Sequence, residues 1–119
     1  MFTGIVEAKV KILSHSVRDE VTTFVIQIPS GWEVAVGQSI AVNGVCLTVV
    51  TFDDDSCTVE LMQETLDKTT YGKGVPTVVN LERAMAATGR FEGHIMQGHV
   101  DTVGVVSAIA KGEETVVIT

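Results

Sequence analysis

The sequence is short of basic side chains: eight Lys and Arg stand against fifteen Asp and Glu in 119 residues, a formal charge of −7. That is the wrong sign for a protein that grips nucleic acid through its phosphates, so no nucleic acid partner is expected. Cysteine is scarce as well. Cys46 and Cys57 are the only two, eleven positions apart and without a CxxC pair, and no metal site is expected from them. Spacing alone allows a disulfide, but nothing implies secretion, and both are read as free thiols. No stretch reaches the roughly 18 consecutive apolar residues of a membrane span. The start, Met1-Phe2-Thr3-Gly4-Ile5, lacks the basic flank and long apolar run of a secretory signal. A soluble, cytoplasmic protein with no membrane partner is expected.

What the chain does have is apolar, β-branched material. Hydrophobic residues make up 45% against 19% charged, enough for one packed core, while the length is too short for two. Short β-branched stretches separated by turn residues predict strands over Gly4–Leu13, Thr22–Ile28, Ser39–Val42, Cys46–Phe52, Cys57–Met62 and Thr77–Leu81. Asn43-Gly44 between two of them is a strong hairpin signal, because both residues tolerate positive φ. Gln63–Tyr71 breaks the pattern and predicts a short helix ended near Gly72 and Gly74. Glu82–Gly93 reads as a linker, with a helical turn at Ala84–Ala87. Six strands with one helix plugging an end make a small, all-β closed barrel.

Beyond the linker the opening pattern returns. Gly98-His99-Val100-Asp101 matches Gly4-Ile5-Val6-Glu7 and begins a strand-like run to Ile109; Thr115-Val116-Val117-Ile118 matches Thr23-Phe24-Val25-Ile26 across a shorter connecting turn. A barrel over residues 1–95 followed by the start of a second copy over 96–119, cut off at Thr119, is expected.

Four segments, in order, resemble riboflavin synthase: Met1-Phe2-Thr3-Gly4-Ile5-Val6; Ser39-Ile40-Ala41-Val42-Asn43-Gly44-Val45-Cys46-Leu47-Thr48-Val49; Met62-Gln63-Glu64-Thr65-Leu66; and Gly93-His94-Ile95-Met96-Gln97-Gly98-His99-Val100. The resemblance implies a six-stranded Greek-key barrel and, in the full family, two homologous barrels in a chain nearly twice this length. It implies the dismutation of two 6,7-dimethyl-8-ribityllumazine molecules by transfer of a four-carbon unit, giving riboflavin and 5-amino-6-ribitylaminouracil, with no redox or metal cofactor. The family forms trimers with sites between the barrels of different subunits. For this chain a homodimer with little turnover of its own is expected, its final segment frayed or exchanged onto a neighbour.

The resemblance also assigns candidate residues. His99 is the choice for proton transfer, since an imidazole titrates near neutrality. Cys46 serves as nucleophile or polarisable wall, with no basic neighbour in sequence to activate it. Ser39 orients a water or an adduct oxygen, and Phe2 packs an aromatic face over the site. Ligand contacts are expected from Gly4, Ile5 and Val6, from Leu47 and Thr48 beside Cys46, and from Glu60, Leu61, Met62, Gln63, Glu64 and Thr65 along the strand-to-helix passage. Gly98 and Val100 flank His99 in the same role. Thr65 would equally serve as a helix cap, and Met62 as core. The alternatives are a lumazine- or flavin-binding accessory protein without chemistry, and a flavin reductase barrel; the second lacks support, because Tyr71 is the only tyrosine and no Arg-x-Tyr-Ser motif surrounds it.

Overall fold

Side chains alternate between the two faces of a strand, and this sequence uses that alternation to fill a barrel. The structure, a computed structural model, describes residues 1–90 and 93–119. In β1 (Ala8–Arg18) only Val10 is fully buried, but in β2 (Val21–Gln27) every second side chain turns inward: Thr22, Phe24 and Ile26. β3 (Ser39–Val42) contributes Ile40 and Val42, β4 (Val45–Phe52) Val45, Leu47 and Val49, and β5 (Ser56–Leu61) Cys57, Val59 and Leu61. After α1 (Gln63–Lys68) and a 3-10 turn at Thr70–Lys73, β6 (Val78–Arg83) adds Val79 and Leu81. Each large apolar side chain buried this way stabilises the barrel by about 1.5–3 kcal/mol before chain entropy is charged against it.

The strands close in the antiparallel order β1-β2-β5-β4-β3-β6, with β6 returning to β1 through Ala8↔Leu81 and Val10↔Val79. The run β3-β4-β5 with β6 beside β3 is a Greek key, as expected. Asn43 (φ 49) and Gly44 (φ 80) make the predicted two-residue hairpin between Val42 and Val45.

The first strand differs from its predicted span. Gly4 has φ 81 and its amide turns to the Glu82 carboxylate, so Gly4–Val6 lies outside the sheet. At the other end the strand runs on through Ser14-His15-Ser16, because Asp19 (φ 50) and Glu20 (φ 65) form a tight turn that folds this polar stretch against Thr23–Val25. The sixth strand likewise extends two residues into the predicted linker, where Glu82 and Arg83 pair with Ala41 and Ile40. Ala84–Ala87 forms no helical turn; the chain leaves the sheet there and bends where the Gly89 amide bonds the Ala86 carbonyl. Phe91 and Glu92, in the predicted linker, lie outside the described residues.

Past the barrel, the predicted Gly98–Ile109 strand joins no sheet over most of its length. Pairing begins only at β7 (Ile109–Lys111), which meets β8 (Val116–Ile118) in a separate hairpin. That hairpin is closed by Ser107 and Thr119, whose amides bond the Thr119 and Ala108 carbonyls. Its apolar residues, Ile109, Val116, Val117 and Ile118, are all exposed.

One end of the barrel is plugged by Tyr71, brought inward by the 3-10 turn. Its ring meets Phe24 edge-on at 5.3 Å between centroids, and its hydroxyl donates to the Val42 carbonyl at 2.8 Å. Burial lifts the phenol above its ordinary range, keeping it a donor. Tyr71→Phe removes this buried hydrogen bond, and the unfolding free energy in a urea titration is expected to fall by about 0.5–1.5 kcal/mol. An unchanged midpoint would show the hydroxyl to be idle.

Candidate functional site

Outward-facing positions on the strands leave the core free of site chemistry and put it on the rim. In β4, Leu47 points into the barrel while Cys46 and Thr48 point away from it. Cys46 is half-buried because a distant segment covers it: the Cys46 amide donates to the Gly98 carbonyl at 2.8 Å. Gly98 has φ 78, and a Cβ there would fall 2.8 Å from the Cys46 Cβ, so this approach requires glycine. His99 follows, exposed on the rim, and Val100 reaches back to pack against the barrel core.

The third wall is α1. Thr69 donates its hydroxyl to the Thr65 carbonyl at 2.7 Å, closing the helix's last turn. Thr65 is not the helix cap: Met62 holds that position without a side-chain cap, and the Thr65 amide bonds the Met62 carbonyl. Glu64 and Lys68, one turn apart, pair at 2.6 Å. The pairing holds the Glu64 carboxyl below its ordinary range and the Lys68 ammonium above its own. Together Cys46, Glu64, Thr65, Gly98, His99 and Val100 enclose a pocket of about 320 Å³.

The structure therefore brings together six of the residues expected from sequence. Lys68, Thr69 and Asp101 join them on the pocket lining. Asp101 was legible as the residue after Gly98-His99-Val100 in the repeated motif, and Lys68 as the helical neighbour of Glu64. The remaining candidates lie elsewhere. Leu47 and Leu61 face the barrel core, and Phe2 is also buried, at 1% exposure, so none of the three lines this pocket. Ser39 opens β3 opposite Thr48, and Glu60 sits outward between Thr23 and Thr48. Met62 is exposed rather than core, and Gln63 bonds Asp67 along the helix. Gly4, Ile5 and Val6 are on none of the pocket's three walls.

Ile5 instead borders a larger groove of about 790 Å³ at the foot of β6. Much of the groove's charge is spent internally: Arg83 pairs with Glu7 at 2.9 Å and stacks on Trp32 at 4.5 Å, and Glu82 accepts from the Thr3 hydroxyl. The smaller pocket, where motif residues converge with an exposed imidazole and a half-buried thiol, is the better chemical site. Among the described residues no group of three His, Cys, Asp or Glu side chains is placed to hold a metal, and no helix is long and apolar enough to cross a membrane.

Residues 3–84 match the model of the lumazine binding domain family. The riboflavin synthase of Actinobacillus pleuropneumoniae is 45% identical over 117 residues, covering 97% of this chain and 54% of that protein. The chain spans about half the length of the curated relatives it matches. Among solved structures, LumP complexed with 6,7-dimethyl-8-(1'-D-ribityl) lumazine superposes with a TM-score of 0.81 at 26% identity, over 99% of this chain and 67% of LumP. LumP complexed with riboflavin gives 0.82 at 27%, over 99% and 65%.

The two thiols differ in a way that can be measured. Both are free, but Cys57 faces the barrel interior and burial pushes its thiol up to about 11. An alkylating reagent at pH 8 is expected to modify Cys46 in the native protein and Cys57 only after denaturation, as peptide mass mapping would show. The folded chain keeps the Cys57 proton where the unfolded chain, with a thiol near 9.0, releases it. That contribution to stability is complete below pH 9 and lost as pH rises toward about 11, so the urea midpoint is expected to fall across this window and less steeply in Cys57→Ala.

Proposed function

The chain belongs to the lumazine-binding domain family, and on that premise we propose that it is the ligand-holding barrel of a riboflavin synthase, a cytoplasmic transferase, with 6,7-dimethyl-8-ribityllumazine and riboflavin as its ligands. One observation carries the reading: three segments far apart in sequence, Cys46, Glu64-Thr65 and Gly98-His99-Val100, converge on a single pocket at the barrel rim. Cys46 and Val100 offer a soft wall to a flat heteroaromatic ring, and Glu64, Thr65 and Thr69 offer acceptors and donors to the hydroxyls of a ribityl chain. His99, exposed beside them, is the group to remove and return a proton of the C7 methyl on the lumazine. Cys46 acts as wall and hydrogen-bonding partner.

The reaction needs two rings stacked in one orientation, one yielding a four-carbon unit to the other; riboflavin and 5-amino-6-ribitylaminouracil leave. Holding two reactants in that geometry lowers a barrier by on the order of 7–11 kcal/mol. One pocket holds one ring, so a second barrel must present the other. Self-association is the expected route, through the exposed apolar hairpin β7–β8 and its surroundings. Residues 96–119 are proposed as the opening of a second, homologous repeat. In support, the spacing that carries Gly4 onto Gly98, both at positive φ, also carries Phe2 onto Met96 and the Arg18–Val21 turn pair onto Gly112 and Thr115; in this register Thr115 answers Val21 rather than the Thr23 expected from sequence, and the two connecting turns are equal in length. On the same grounds Gly4, Ile5 and Val6 are assigned to the corresponding site of a neighbouring barrel.

A second reading, a carrier of lumazine or flavin without chemistry, is favoured by the superposition on LumP. Titrating the protein with 6,7-dimethyl-8-ribityllumazine is expected to change the ligand's fluorescence and saturate; no change at about tens of micromolar would sink both readings. Little riboflavin is expected from the same mixture. Should turnover be robust, His99→Ala is expected to lower it by about 10²–10⁴-fold, whereas a rate indifferent to that change removes His99 from the chemistry.

A further inference from the structure

Glu82 is a carboxylate in an unusual position. It lies in β6 opposite Ala41, yet it is only 8% exposed, and a carboxylate so placed is costly unless its oxygens are satisfied. They are satisfied entirely by the N-terminal arm. The Thr3 amide donates at 2.5 Å, the Thr3 hydroxyl at 2.7 Å, and the Gly4 amide at 3.1 and 3.2 Å to the two oxygens. Two successive amides aim at one anion because Gly4 adopts a positive φ, the geometry of an anion-binding nest. The Met85 amide adds a tie to the Met1 carbonyl at 3.0 Å.

The arm's opposite edge carries the pocket wall. Phe2 and Met96 exchange hydrogen bonds of 2.8 and 2.9 Å, and the His94 amide donates to the Thr3 carbonyl at 3.2 Å. Among the described residues, these three bonds to the arm, together with the bond from Cys46 to Gly98, make up the backbone anchorage of His94–His99. Val100 adds an apolar foot on the core. The arm is thus the middle strand of a short ribbon running from β6 to the ligand side of the barrel, and Glu82 is its charged fastening.

We propose that Glu82 is a positioning residue for the pocket: its buried carboxylate latches the N-terminal arm, and the arm holds the Gly98–His99 wall against Cys46. The latch stands on geometry alone; its effect on ligand rests on the reading that the pocket takes riboflavin or lumazine. Glu82 is not on the pocket lining, so substituting it changes none of the side chains that line the pocket. A role confined to stability would loosen the whole barrel evenly, whereas a latch loosens the ribbon first.

Amide hydrogen exchange on the full chain separates the two. In Glu82→Gln, exchange at the Cys46 and Met96 amides is expected to accelerate at least tenfold while Phe24 and Val59, in the β2–β5 ladder, keep their rates. Riboflavin affinity, followed by flavin fluorescence, is expected to weaken about tenfold. Thr3→Val, which removes one donor and no charge, shifts the same amides in the same direction by less, and decides the matter if the Gln variant does not fold. Unchanged Cys46 exchange in the variants, or equal acceleration across the barrel, overturns the latch. Failure of the wild-type protein to bind riboflavin overturns the functional reading and leaves the exchange result to judge the latch independently.

Discussion

The ligand side of this molecule depends on a close approach between two backbones that only glycine allows. The Cys46 amide lies on the outside of the barrel, where a strand edge would ordinarily meet water; it meets the Gly98 carbonyl instead. A side chain at Gly98 would collide with both the backbone nitrogen and the Cβ of Cys46. The contact draws a segment more than fifty residues away along the chain onto the rim and makes a pocket out of what would otherwise be a convex wall. Everything attributed to His99 depends on that seam, since an imidazole at the end of a free segment would have no fixed relation to Cys46 or to the helix.

Two energetic regimes meet along this seam. Inside, the barrel is held by interdigitating apolar side chains and by a phenol whose single hydroxyl satisfies a single carbonyl, an arrangement with little slack. Outside, the ribbon of arm and wall is held by a handful of hydrogen bonds, each contributing about 0.5–1.5 kcal/mol net, more where a carboxylate is the acceptor. The rim is therefore the part of the molecule that opens at low cost, and it is also where the candidate pocket lies. The carboxylates divide in the same manner. Glu64 and Lys68 are exposed and contribute little to stability; Glu82 is buried and structural.

Much of the fold was legible because its signals are local. Asn43-Gly44 announced a hairpin, the alternation of Phe24 and Ile26 or of Val45, Leu47 and Val49 announced half-buried strands, and the break at Gln63 announced the helix. What was hidden depended on tertiary partners. Asp19 and Glu20 carry no glycine to advertise their positive φ, so the polar half of the first strand was lost, and Gly4 read as strand although a distant glutamate turns it out of the sheet. The candidate site split along similar lines. Motif resemblance supplied Cys46, Glu64, Thr65, Gly98, His99 and Val100, but period-two alternation meant that Leu47, although adjacent to Cys46, had to face the core, as Leu61 does on its own strand. Lys68, Thr69 and Asp101 came from helical spacing and from chain continuity, signals that gain meaning only when the walls are known.

A barrel filled by its own side chains has no room for a guest. On the proposed function a ligand lies in the rim pocket, against the outside of the barrel wall, and not inside the barrel. An enclosed cavity would isolate each molecule from its fellows; a shelf leaves one side of a planar ring available to something else of the same shape. Chemistry between two identical molecules, difficult to arrange inside a protein, becomes a matter of bringing two shelves face to face.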